Sequence, residues 1–186
     1  KVLGRFTARD EELLENIGSQ LDTAVYEGLK SEKIKTVLSR SVGSNVMEVL
    51  LKDPDANLIV PRYADISVIF ADIRGFTALS EELGPETMPE FMTDYLGTQA
   101  AVVIKCGGMV DKFVGDEVMA LFGVPIAQEN HAMLAVQTAL DMQAAHNKML
   151  KRWTKYKIRN PIGIGICSGE VIAGEFGCTL RTGYTA

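Results

Sequence analysis

The chain has 186 residues, 47% of them hydrophobic, which suffices for one packed domain with a smaller appendage and excludes a disordered chain. The net charge of −5 excludes nonspecific nucleic-acid binding, which needs a basic surface. It leaves room for a nucleotide substrate, because metal ions can carry the positive charge locally.

Residues 8 to about 50 are predicted to be helical. Leu14, Ile17, Leu21 and Ala24 form a narrow apolar stripe, continued loosely by Leu29, Ile34, Val37 and Leu38. Gly43-Ser44 breaks the stripe, Ser44 is placed to cap a short helix over 45–52, and Asp53-Pro54 ends it. The segment reads either as a helix packed on its own core or as a dimerising helix that transmits a signal from upstream. From Ala64 the run ADISVIFADI predicts a buried strand, rich in β-branched and aromatic residues. Residues 76–106 are predicted to be mainly helical, with an interruption near Gly84-Pro85.

Met109 to Phe122 reads as a β-hairpin turning at Gly115-Asp116, a dipeptide suited to positive φ angles. A helix follows over 128–152, with Ala132, Ala135, Val136, Ala139, Leu140 and Met142 expected on its buried side. PIGIGIC predicts a strand, Ser168-Gly169 is expected to turn it into VIAGEF, and RTGYTA predicts a last strand. This order matches an α/β (α+β) split βαβ domain with helices on one face of the sheet.

The three cysteines, Cys106, Cys167 and Cys178, are odd in number and without a CxxC pair, which reads as reduced thiols of a cytoplasmic protein. No apolar run approaches a membrane span, and no signal peptide is visible. A start at Lys1 and a stop inside RTGYTA read as cuts from a longer protein.

Asp72 falls at the end of the first strand, followed by a glycine and a helix start; Asp116 falls at the hairpin tip. Backbone amides at a helix N-terminus suit phosphate oxygens. If the hairpin lies beside the first strand the two carboxylates approach, and a divalent cation relieves their repulsion. Spacing alone leaves turn-forming and capping roles open for both aspartates. Arg74 and Glu117 read as solvated or locally paired, and the Walker A and GxGxxG phosphate motifs are absent. Lys112 alternates with Val110 and Val114 and so is expected on their face, where it needs a partner or ligand. The alternative is an edge-strand lysine that blocks aggregation.

FADIRGFTALSE, GGMVDKFVGDEVMALFG and IGIGICSGEVIAG, in that order, resemble the catalytic domain of class III adenylyl and guanylyl cyclases over residues 45–186. FTARDEELLENIGSQLDTAV also looks like the last helix of a GAF sensory domain. The resemblance implies a ferredoxin-like palm domain at 56–186, preceded at 1–55 by a long signalling or dimerisation helix and linker. It implies a head-to-tail homodimer with composite active sites, and an upstream sensory domain.

It also implies two divalent cations, Mg2+ or Mn2+, held by Asp72, Asp116 and the backbone carbonyl of Ile73, with Gly75, Phe76 and Thr77 at the terminal phosphates. Lys112 matches the base-selecting position, where lysine implies ATP and glutamate GTP. A second base-selecting residue, a ribose-orienting asparagine and a phosphate-stabilising arginine are expected beyond Ala186, so the isolated chain is expected to turn over weakly or not at all. His131 and His146 read as structural or surface residues. The competing readings are a guanylyl cyclase and a degenerate, cyclase-like dimerisation module. A diguanylate cyclase or polymerase-like palm shares the topology, but no GGDEF-type run is present.

Overall fold

The strand expected from Ala64 begins slightly earlier, as β1 (Arg62–Ile73), and its burial follows the period of two that a pleated strand imposes. Ile69, Ala71 and Ile73 are buried, whereas Phe70 is exposed and Asp72 half-buried. The computed structural model describes residues 17, 18, 21, 25–29, 60–178 and 181–186. The chain divides into two units, Lys1–Met47 and Glu48–Ala186. In the first, the described residues are helical, with Ile17, Leu21, Val25 and Leu29 exposed. The remaining predicted N-terminal elements, including the short helix over 45–52, lie outside the described residues.

In the second unit β1 leads into α1 (Phe76–Lys105), then β2 (Met109–Val114), β3 (Glu117–Phe122) and α2 (His131–Leu150). A 3-10 turn (Lys151–Tyr156), β4 (Ile162–Cys178) and β5 (Arg181–Thr185) complete it. The expected interruption of α1 occurs at Gly84, whose φ of 69° and ψ of 172° leave the helical region. The strand order is β2-β3-β1-β4-β5, and every neighbouring pair is antiparallel. The order β2-β3-β1-β4 around two crossover helices is that of a ferredoxin-like palm, as expected.

One parity of the sheet carries the core. Ile69, Ala71, Val118, Ala120, Phe122 and Ile162 pack against Leu79, Phe91, Tyr95 and Val103 of α1 and Ala135, Met142 and Met149 of α2. Each large apolar side chain so buried contributes about 1.5–3 kcal/mol. Trp153 closes one end of this core, edge-on to Phe91 at 5.2 Å, with its indole N–H donating to Asp94 at 2.8 Å. Both helices thus lie on one face, leaving Phe70 and Cys167 on the other, exposed.

Three expectations change. The buried stripe of α2 is Ala135, Thr138, Ala139, Met142, His146 and Met149, whereas Ala132, Val136 and Leu140 are exposed. The helix is rotated so that its i, i+3, i+4, i+7 series starts at Ala135, and one apolar residue type on two faces misled the assignment. Ser168-Gly169 makes no turn: β4 is one 17-residue strand, in which Ser168 and Gly169 pair with Ser67 and Ile66 of β1. A 2.6 Å hydrogen bond between the Ser67 and Ser168 hydroxyls joins the two strands there.

The third change concerns Lys112. The β2–β3 register shifts between Val110 and Lys112, so Val110 faces Ala120 but Lys112 faces Met119. Asp111 is the extra residue of this bulge, which reverses the alternation and turns Lys112 away from the face of Val110. No disulfide links the cysteines, and among the described residues no helix is long and apolar enough to cross a membrane.

Candidate active site

The sequence places Asp72 at a strand end and Asp116 at a hairpin tip; pairing β1 with β3 brings those two ends together. Ala71 is registered with Val118, two residues past Asp116. The turn is made by Gly115, at φ 64°, while Asp116 keeps an ordinary negative φ. The Asp116 carboxylate then accepts the backbone N–H of Ile73 through Oδ2 at 2.8 Å, immediately beside Asp72. This bond both ties the hairpin to β1 and gathers two carboxylates at one corner of the sheet.

Asp72 Oδ1 is buried and accepts no hydrogen bond. Arg74 Nη1 lies 3.6 Å away, in ion-pair range but too long for a hydrogen bond. The Arg74 guanidinium lies over Gly163, where a Cβ would overlap it. A buried carboxylate oxygen without a donor is costly unless a cation completes it. Behind the corner, burial and the charges of Asp116 and Asp72 hold the Tyr95 hydroxyl protonated, well above its ordinary range. These observations fit a divalent cation, for which two carboxylates leave coordination positions to a backbone carbonyl, water and phosphate. Among the described residues no group of three or more His, Cys, Asp or Glu converges as a complete protein cage.

Gly75 follows at φ 72°, a conformation that glycine adopts without Cβ strain, and it starts α1. No side chain caps this helix end, and its first turn holds no acidic residue. The amides of Phe76 and Thr77 therefore offer the partial positive charge of a helix N-terminus to an anion next to the carboxylate pair. Phe76 anchors the turn by packing against the core.

Lys112 stands in a second cluster. Its Nζ lies 3.1 Å from Asp111 Oδ2 and donates to Thr185 Oγ1 at 3.0 Å, and the Thr185 hydroxyl donates to the same Asp111 oxygen at 2.9 Å. The Asp111 side chain is 1% exposed and that of Lys112 46%, so a buried carboxylate anchors an accessible ammonium. Sequence reasoning missed both Asp111 and Thr185, and expected a second base-selecting residue only beyond Ala186. Thr185 lies in the predicted strand RTGYTA, but its contact with β2 joins strands at opposite ends of the sheet order.

His131 and His146 fall outside both clusters, as expected. His131 Nδ1 shares a 2.8 Å hydrogen bond with buried Ser67 and its Nε2 lies 3.7 Å from Asp65, joining the start of α2 to β1.

A family model described as the adenylate and guanylate cyclase catalytic domain matches residues 58–184. An adenylate cyclase of Anabaena cylindrica is 36% identical over 121 residues, 64% of this chain and 24% of the relative. The crystal structure of the adenylyl cyclase CyaB from P. aeruginosa superimposes with a TM-score of 0.64 at 37% identity, covering 67% of this chain and 66% of that one. That of the guanylyl cyclase Cya2 gives 0.64 at 36% identity, covering 67% and 64%. The chain thus spans only about a quarter of the first curated relative. The matched model spans β1 to β4 and all of β5 but Thr185, with Asp72, Asp111, Lys112 and Asp116 inside it, and the chain belongs to the adenylate and guanylate cyclase catalytic domain family.

Proposed function

We propose that the protein is an adenylyl cyclase, converting ATP to 3′,5′-cyclic AMP and pyrophosphate by in-line attack of the ribose 3′-hydroxyl on the α-phosphate. The observation that carries this reading is the Asp116–Ile73 hydrogen bond, which assembles the carboxylate corner beside an uncapped helix start. Asp72, Asp116 and the Ile73 carbonyl would hold two divalent cations, Mg2+ or Mn2+. Bound there, such ions supply acidification of the 3′-hydroxyl and charge neutralisation at the phosphates.

The chain's own contribution is mainly positioning. The amides of Phe76 and Thr77 receive the terminal phosphates, and Gly75 permits the tight approach of backbone to ligand. Lys112 reads the base: its ammonium donates to the ring nitrogen that adenine offers as an acceptor, where guanine carries an N–H. Asp111 and Thr185 orient that ammonium, and two fixed bonds limit the angles at which it can donate.

Lys112 is bonded to Asp111 and Thr185 rather than to either metal-site aspartate. This separation fits a homodimer in which Lys112 of one protomer completes the site of its partner. Residues 1–55 would then form a signalling or dimerisation segment that relays a state from an upstream sensor to the catalytic region at 56–186. The ATP substrate and the absence of a disulfide fit a cytoplasmic location.

The test is a cyclase assay of the full-length protein with ATP and GTP in parallel, repeated for Asp72→Ala. Metal-dependent cyclic AMP formation, abolished by Asp72→Ala, is expected. Full activity of that variant would remove the two-metal assignment. The 36% identity to a guanylyl cyclase sustains the guanylyl reading, and predominant cyclic GMP would establish it. No cyclic nucleotide at all would favour a degenerate dimerisation module.

A further inference from the structure

We propose that Asn160 is a positioning residue that straps the phosphate-binding turn in place, with His146 setting Asn160 from behind; this rests on the reading of Gly75–Thr77 as the phosphate site. The Asn160 side-chain amide donates through Nδ2 to the Arg74 carbonyl at 2.9 Å. The next residue, Pro161, accepts the Arg74 N–H through its own carbonyl, also at 2.9 Å. Both backbone polar groups of Arg74 are therefore held by two consecutive residues just before β4. Asn160 Nδ2 also sits 3.4 Å from where a Cβ of Gly75 would lie, so the strap borders the one residue whose positive φ starts α1.

The strap is itself fixed. The Asn160 carbonyl is 2.8 Å from His146 Nε2, and a carbonyl only accepts, so Nε2 carries the proton. His146 is 1% exposed, burial holds its pKa below the ordinary range, and its ring stands edge-on to Tyr95 at 5.8 Å. A rigid, neutral imidazole in the core thus aims the Asn160 backbone, and the Asn160 side chain aims the turn. This matters because the α1 start has no side-chain cap: beside the packing of Phe76 on the core, its amides keep their direction through what holds Arg74 and Gly75. A buried histidine two elements away from the carboxylates thereby acquires a task that the metal site does not explain.

The experiment uses the full-length protein with Asn160→Ala, near-isosteric Asn160→Leu and His146→Leu. Calorimetry with Mn2+ and inorganic pyrophosphate reads the phosphate turn directly, adenosine binding reads the base end, and KM and kcat for ATP are measured beside them. For both Asn160 variants the pyrophosphate dissociation constant and the KM should rise together by about tenfold, as loss of one positioning hydrogen bond implies. Adenosine affinity should stay within about twofold, and His146→Leu should show the same split at about threefold. Unchanged pyrophosphate affinity in folded Asn160→Ala or Asn160→Leu overturns the strap, as does wild-type protein that binds no pyrophosphate. Equal losses at both ends overturn it too, because they mark general destabilisation. Asn160-dependent pyrophosphate binding without cyclic nucleotide formation would instead keep the strap and remove the cyclase reading.

Discussion

The tip and the body of one hairpin carry the two candidate clusters, and they are specified in different ways. At the tip, Gly115 takes the positive φ and Asp116 reaches a backbone N–H on the adjacent β1, so a turn and one strand pairing suffice. In the body, Lys112 depends on a bulge that turns it over and on Thr185, 73 residues further along the chain. The carboxylate corner is therefore a product of the β1–β3 pairing alone, whereas the lysine cluster exists only if β5 returns to β2. If the corner holds metal ions, as proposed, its ligands are set by one strand pairing, whereas the proposed base-reading contact could be altered without touching them.

The largest effect should come from the tip. Asp116→Asn keeps the shape but weakens both the cation and the bond to Ile73, and kcat/KM for ATP should fall by about 10²–10³-fold with either base. An equal ATP/GTP ratio before and after would confirm that the tip does not read the base. Lys112→Met should lower kcat/KM for ATP by about 10- to 100-fold and collapse the ATP/GTP ratio, while leaving Mn2+–pyrophosphate binding unchanged. A loss of pyrophosphate binding there would break the division between the clusters.

Thr185→Val removes a hydroxyl from the same trio and should reduce the ATP preference by about 3- to 10-fold, read in the same paired assay. Gly115→Ala meets open space but forces a φ of 64° on alanine. It should cost about 1–2 kcal/mol in chemical denaturation and leave the base preference intact.

The smallest effect concerns pH. Burial depresses the His146 pKa below 6.5, so the unfolded chain takes up its proton first as the pH falls. The contribution of His146 to stability should be complete above about pH 6.5 and decline below it. Denaturation midpoints at pH 7.5, 6 and 5 should show this decline in the wild type and a shallower one in His146→Gln.

Much of the fold was legible. The strand at ADISVIFADI, the break at Gly84 and the turn at Gly115 follow from local chemistry: β-branched residues, a proline preceded by glycine, and a glycine free to take positive φ. Asp72 and Asp116 were also legible as a pair, because their positions at a strand end and a turn tip need only one strand pairing to meet. The α2 face was not, because Val136 and Leu140 are as apolar as Met142 and composition alone does not say which face meets the sheet. Ser168-Gly169 has turn-forming residues, but pairing along the whole of β1 overrides their propensity.

The sequence by itself determined the order of elements, the strand-end and turn-tip placement of each aspartate and the glycine that opens α1, since each rests on residues close in the chain; the meeting of the two aspartates needed the β1–β3 pairing. Only the tertiary structure decided which way Lys112 points, that Asp111 and Thr185 hold it, and that Asn160 and His146 stand behind the Arg74–Gly75 turn. A bulge shifts register by one residue and leaves little composition signal, and contacts between elements far apart in sequence appear only once the sheet has closed.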